Sequence, residues 1–184
     1  AGECSWTYHG ANRLGANSLL SASVDGWFTL PFTIPNYLAH HLGEAKLAED
    51  SAEAAQAIAR AQSRIDRLMS VRGENPHGPA YYHRQLGEIL YWGCGVSRNV
   101  EDLKVAIDKV RALREEFWAN VRITGNANDM NQVLEYGLRV ADYIDLGELM
   151  CVDALDRDES CGAHFRDDHL SEDGEAERDD ENWC

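Results

Sequence analysis

Apolar residues recur near a 3.6-residue period through most of this chain, in blocks separated by turn-forming residues. The clearest block follows Asn99. There Leu103, Ile107, Val110, Leu113 and Phe117 make one stripe, while Lys104, Asp108, Arg111 and Glu115 lie off it. Asn99 can accept hydrogen bonds from the first free amides of that helix, and Glu101 and Asp102 suit the positive end of its dipole. An alanine-rich helix precedes it, capped by Asp50 or Ser51. Its apolar positions Ala55, Ile58, Ile65, Leu68 and Met69 face away from Arg60, Arg64 and Arg67. The glycine- and proline-rich stretch 73–79 reads as a surface turn. A second helix over 80–92 carries Tyr81, Tyr82, Tyr91 and Trp92, rings suited to packing between helices, and Gly93-Cys94-Gly95 ends it. After a turn at 125–128, Asp129 is expected to cap a further helix carrying Leu134, Gly137, Val140, Ala141, Ile144 and Glu148. Short connections between such helices predict a mainly α architecture, an antiparallel bundle of three to four helices over residues 45–157.

The two ends have a different pattern. Residues 1–6 read as the end of a buried strand. A helix is predicted over 17–30, with Asn17 or Ser18 as its N-cap and the small residues Ala22, Ser23 and Gly26 allowing close packing. Pro31 and Pro35 are expected to interrupt it, leaving Phe32, Ile34, Tyr37 and Leu38 to cover apolar surface. His40-His41 reads as a surface pair. Residues 158–184 are dense in carboxylates, and 167–177 reads as a surface insertion.

Composition narrows the functions open to the chain. With 184 residues, 44% of them hydrophobic, it can bury one core, or one core and a fragment of another. A formal net charge of -15 would repel a nucleic-acid duplex. No run of about 18 apolar residues and no signal-peptide pattern is present. The 5 cysteines are odd in number and scattered, which suggests no disulfide framework and a reducing cytoplasm. Cys161 and His164, with His169 and Cys151, are conceivable zinc donors, but their spacing matches no standard finger and no metal is expected. Because the chain starts at Ala1-Gly2-Glu3 and stops at Trp183-Cys184, it is expected to be an internal piece of a longer polypeptide.

The most informative stretch is His9-Gly10-Ala11-Asn12-Arg13-Leu14-Gly15-Ala16-Asn17-Ser18-Leu19-Leu20. Glycine and alanine let a backbone approach a flat group closely. Asn and Ser offer neutral hydrogen bonds, and the single guanidinium is a planar fork matched to a carboxylate. At the start of a helix, free N–H groups would point at a bound acceptor. Together these residues suit a ligand that is flat in one part and anionic in another.

Preceded by Gly2-Glu3-Cys4, this stretch closely resembles the flavoprotein subunit of succinate dehydrogenase and fumarate reductase. L-Aspartate oxidase and the adenylylsulfate reductase alpha subunit share parts of the pattern, but Gly15-Ala16 favours the succinate/fumarate branch. The end of the chain adds to the likeness. Glu159-Ser160-Cys161-Gly162-Ala163-His164 with Arg166, then Arg178-Asp179-Asp180, is similar to segments that follow the helical domain of these flavoproteins, although Cys161 stands where most carry arginine. His164, taken alone, reads as a structural hydrogen-bonder.

The resemblance implies that residues 1–44 are the closing strand, loop and helix of an FAD-binding α/β domain, that 45–157 are the helical bundle, and that 158–184 begin an acidic C-terminal segment. It implies that Arg13 binds the substrate carboxylate, that Glu3 hydrogen-bonds the FAD ribityl or ribose region, and that Asn17, Ser18 and Leu19 contact the cofactor. The implied activity is oxidation of succinate to fumarate, with a hydride passing to FAD and electrons to an iron–sulfur subunit and a quinone. The partners would be that subunit and a membrane-anchor cytochrome b subunit, on the cytoplasmic side of the membrane. Fumarate reduction, L-aspartate oxidation and a non-catalytic helical interaction module are the alternatives. Excision of the segment would expose Leu14, Leu19, Leu20, Trp27 and Phe28, an expected aggregation patch.

Overall fold

The computed structural model describes residues 2, 15–44 and 46–183. It is mainly helical: α1 (Asn17–Val24), a π-helical turn (Asp25–Thr29), α2 (Leu30–Ala39), α3 (Ala52–Ser70), α4 (Pro79–Gly93), α5 (Val100–Asn120) and α6 (Gln132–Asp156). The chain divides into two compact units, residues 48–157 and residues 1–47 with 158–184. The strand expected over residues 1–6 lies outside the described residues, Gly2 apart.

In the unit formed by residues 48–157, α5 and α6 pack on each other and on α4, and α3 packs on α6. Ser51 caps α3 through its side chain, and Asn99 caps α5 by accepting from the Asp102 N–H at 2.8 Å. The predicted stripe of α5 is the core: Leu103, Ile107, Val110, Leu113 and Phe117 are all buried, as are Leu134, Val140, Ala141 and Ile144 of α6. At Gly93 the backbone of α4 lies close against α5. A Cβ placed on it would stand 2.6 Å from the Ala106 Cβ, so only glycine permits this crossing.

Several details differ from the sequence reading. Asn131, not Asp129, caps α6, its Oδ1 accepting from the Val133 and Leu134 amides at 3.0 and 3.1 Å. Asp129 is drawn instead to Asn126, whose amide donates to its Oδ2 at 2.9 Å. Only the end of α3 meets the core. Leu68 is buried with Ile65 and Met69 packed beside it, but Ala55 and Ile58 are exposed. Nor are the α3 arginines simply solvated: Arg67 lies over the Trp118 ring at 3.7 Å, and Arg64 pairs with Asp142 at 2.5 Å. Glu148 belongs to a polar clasp rather than the stripe. It accepts from Arg111 Nε at 2.6 Å and from Arg114, and these two cations hold its carboxyl below the usual range.

At the centre, Tyr82 is fully buried with its ring edge-on to Phe117, centroids 5.2 Å apart. Its hydroxyl is buried and finds no hydrogen-bond partner among the described residues. Burial, with the charge of Glu116 nearby, pushes the phenol up to about 12. Tyr82→Phe keeps the ring contact and removes the unsatisfied group, so it should raise stability by about 1 kcal/mol. Sign matters here: the folded state holds a proton that the unfolded chain releases above 10, so wild-type stability falls as pH rises from 10 towards about 12. Urea titrations of both proteins at pH 8 and pH 11 check this. The variant should have the higher midpoint at both, by the larger margin at pH 11.

In the other unit, helix continues from Asn17 to Ala39, and the two prolines do not interrupt it. Pro31 falls in the first turn of α2, directly after the π turn. The wider turn carries the chain past the amide that Pro31 lacks, whereas Pro35 sits inside α2.

Candidate functional site

The expected ligand-holding stretch enters α1. Ala16, with φ -68° and ψ -2°, takes the N-cap position and makes no side-chain capping bond. Asn17 and Ser18 are therefore inside the first turn, and neither is the cap that the sequence pattern suggests. The backbone is already helical at Ala16, so Asn17 lies past the position from which a side chain caps the first free amides.

Asn17 Oδ1 is buried without a hydrogen-bond partner among the described residues. An uncompensated buried carboxamide oxygen is costly and calls for a donor. Ser18 is buried beside it, with its backbone carbonyl accepting from the Ser21 hydroxyl at 3.0 Å. Leu19 is 71% exposed and Leu20 64%. Gly15, just before the turn, has no neighbouring atom where a Cβ would stand. The Gly2 N–H donates to Asp25 Oδ2 at 2.5 Å, which ties the residue before Glu3 to the far end of this helix. Glu3 and Arg13 themselves lie outside the described residues.

These features fit a flat, partly polar group. Asn17 offers an acceptor in need of a donor, Gly15 leaves room, and Leu19 and Leu20 present apolar surface. FAD meets that description, since its ring system carries N–H and carbonyl groups on a planar frame.

The C-terminal segment adds a cluster that periodicity did not reveal. Arg166 is fully buried, and its guanidinium forks onto Asp168 at 2.7 and 3.0 Å, with Asp158 at 3.5 Å. Those carboxylates push its pKa upward, Asp168 most. Ser160 fixes the Arg166 backbone, its hydroxyl donating to the carbonyl at 3.0 Å and accepting from the N–H at 2.8 Å. Buried Glu159 accepts from the Asp179 N–H at 2.9 Å. Asp168 is thus a partner of a buried cation within the stretch read as a surface insertion, while 171–176 is exposed as expected. The signal for this cluster was an arginine with an aspartate two residues after it and another eight before it, a pattern that charge counting averages away.

His164 is buried, and its backbone exchanges hydrogen bonds with Cys161 at 2.9 and 3.1 Å across a turn in which Gly162 has φ 64°. Cys151, considered with Cys161 as a metal ligand, is instead buried in the helical core beside Cys94. Among the described residues, no group of three or more His, Cys, Asp or Glu side chains is arranged to hold a metal ion. Nor, among them, is any helix long and apolar enough to cross a membrane.

The chain is similar to known proteins over its whole length. Residues 83–184 match the family described as fumarate reductase flavoprotein C-term. The fumarate reductase flavoprotein subunit of a Serratia strain is 33% identical over 100% of the chain, which covers 29% of that protein. The succinate dehydrogenase flavoprotein subunit of Bacillus subtilis is 31% identical, again over 100% of the chain and 29% of the relative. Among solved structures, a quinol-fumarate reductase with menaquinol molecules superposes with a TM-score of 0.76 at 35% identity, over 98% of this chain and 29% of that one. The chain spans about 29% of the length of the curated relatives it matches. With a matching fold, relatives aligned over the whole chain and a family match over more than half its length, the chain belongs to the succinate dehydrogenase/fumarate reductase flavoprotein subunit family.

Proposed function

We propose that this chain is part of a flavoprotein subunit that oxidises succinate to fumarate. The observation that carries the reading is the alignment of the whole chain with subunits of that kind. In this reading residues 1–44 close an FAD-binding domain, 45–157 form a helical domain whose neighbouring helices run antiparallel, and 158–184 begin the C-terminal segment. The buried Asn17 oxygen supports an assignment to the cofactor. Bound FAD supplies the two-electron acceptor. Arg13 binds and orients a substrate carboxylate, and a bidentate charge-assisted pair fixes the carbon chain so that less entropy is lost on reaching the transition state. Asn17 accepts a hydrogen bond from the cofactor, Ser18 and Leu19 line it, and Glu3 holds its ribityl or ribose hydroxyls.

Electrons would leave through an iron–sulfur subunit towards a quinone, with a cytochrome b subunit holding the assembly at the cytoplasmic face of the membrane. Fumarate reduction is the second reading, favoured by the names of relatives such as the Serratia protein. It uses the same groups and differs in the redox potentials of its partners. L-Aspartate oxidation and a non-catalytic helical module fit less well. An amino substrate needs an acidic partner near Arg13, and a scaffold needs neither Arg13 nor a buried unpaired Asn17.

The test is to purify the full-length protein and measure flavin absorbance, succinate-dependent dye reduction and fumarate-dependent oxidation of a reduced dye. Flavin with either activity is expected. The 184-residue chain alone should show neither. Full-length protein without flavin would overturn the reading.

A further inference from the structure

Cys94 and Cys151 occupy one apolar cluster with Leu103, Ala106, Ile107 and Ala154. Cys94 is 3% exposed and Cys151 fully buried. Cys94 is the residue that ends α4, and its thiol also lies 3.9 Å from the carbonyl of Met150, the neighbour of Cys151 on α6. Both side chains belong to that cluster, at the contact between α4 and α6. A pair of thiols in one buried cluster, on different helices and in otherwise aliphatic surroundings, has a chemistry that packing alone does not require.

We propose that Cys94 and Cys151 form a dithiol that a hydroperoxide oxidises to a disulfide joining the end of α4 to α6. The Cys94 sulfur attacks the peroxide oxygen. A sulfur–oxygen bond forms, the oxygen–oxygen bond breaks, and the thiol proton leaves with the departing oxygen as water or an alcohol. The Cys151 sulfur then attacks the Cys94 sulfur; the sulfur–sulfur bond forms, and the hydroxyl leaves with the Cys151 proton as a second water. Each sulfur is oxidised by one electron, and the peroxide takes up two. Interaction with Cys151, aided by the charge of Arg98, lowers the Cys94 thiol against the effect of burial, whereas Cys151 is raised. Cys94, at the end of α4 rather than inside a helix as Cys151 is, is the attacking thiol. Its place at the end of a helix, where local opening costs least, gives the oxidant its route.

This inference does not depend on the flavin reading, and its test does not use activity. Full-length protein is treated with hydrogen peroxide, unfolded, alkylated with N-ethylmaleimide, digested and analysed by mass spectrometry. The expected result is a peptide pair linked through Cys94 and Cys151, lighter than the two thiol peptides by two hydrogen atoms and separated again by dithiothreitol. Half-exposed Cys161 should stay outside that pair. Recovery of Cys94 and Cys151 as alkylated thiols after treatment, or linkage of either to a different cysteine, would overturn the proposal.

Discussion

Arg13→Lys in the complete subunit is expected to lower succinate turnover by about a hundredfold or more while leaving FAD bound. Lysine keeps the positive charge, so loss of the charge cannot account for such a fall. What it lacks is the planar fork that meets both oxygens of a carboxylate in one orientation. A carboxylate held by a single ammonium can pivot, and a displacement of about 1 Å at the reacting carbon can cost about a hundredfold in rate. Turnover and flavin content measured on the same preparation separate the outcomes. Low turnover with full flavin is the signature of a carboxylate clamp. Wild-type turnover would remove Arg13 from the substrate and leave its loop only the task of holding the cofactor.

The second large effect concerns the helical core. Phe117→Ala should destabilise the helical unit by about 3 to 5 kcal/mol. Phe117 is fully buried on α5 and meets the ring edges of Tyr82 and Trp118, each with centroids 5.2 Å away. Its partners lie on α4 as well as on α5, so removing the ring leaves a hole that no single side chain can fill by rotating. Against a total stability of about 5 to 15 kcal/mol for a typical domain, this is a large fraction. Urea unfolding of full-length protein, followed by helical circular dichroism, should show a clearly lower midpoint, with Phe117→Leu intermediate. An unchanged midpoint would mean that the cluster around Tyr82 is not what holds these helices together.

The helical half was legible because its rules are local. The α5 stripe and the Asn99 cap follow from periodicity and one side chain's reach, and both are present. Caps in loops were harder. Asp129 and Asn131 are both good caps in isolation, and the choice falls to the one whose carboxamide can also donate to the carbonyls of Thr124 and Asn126, at 2.8 and 2.9 Å. Asp has no such donor. The α3 stripe ran too far because periodicity says which side of a helix is apolar and nothing about how much of its length meets a partner. At the site, the sequence pointed to Asn17 and Ser18 but misread their form, expecting a helix cap where a buried unpaired oxygen stands. The Arg166 cluster depends on the fold of the segment after α6, which has no period to read.

The π turn at Asp25–Thr29 also bears on what surrounds this helix. One residue beyond the normal repeat turns everything after it by about 100°. Apolar side chains before it, such as Leu20, and after it, such as Phe32, which an unbroken repeat would set about 120° apart, are thereby brought within about 20° of each other, and Leu20, Trp27, Phe28, Phe32 and Tyr37 are each at least 64% exposed. A helix with an apolar stripe lays that side against another surface. The stretch from α1 to α2 thus presents an apolar face suited to being covered, and, left uncovered, that face is where a failed assembly would aggregate.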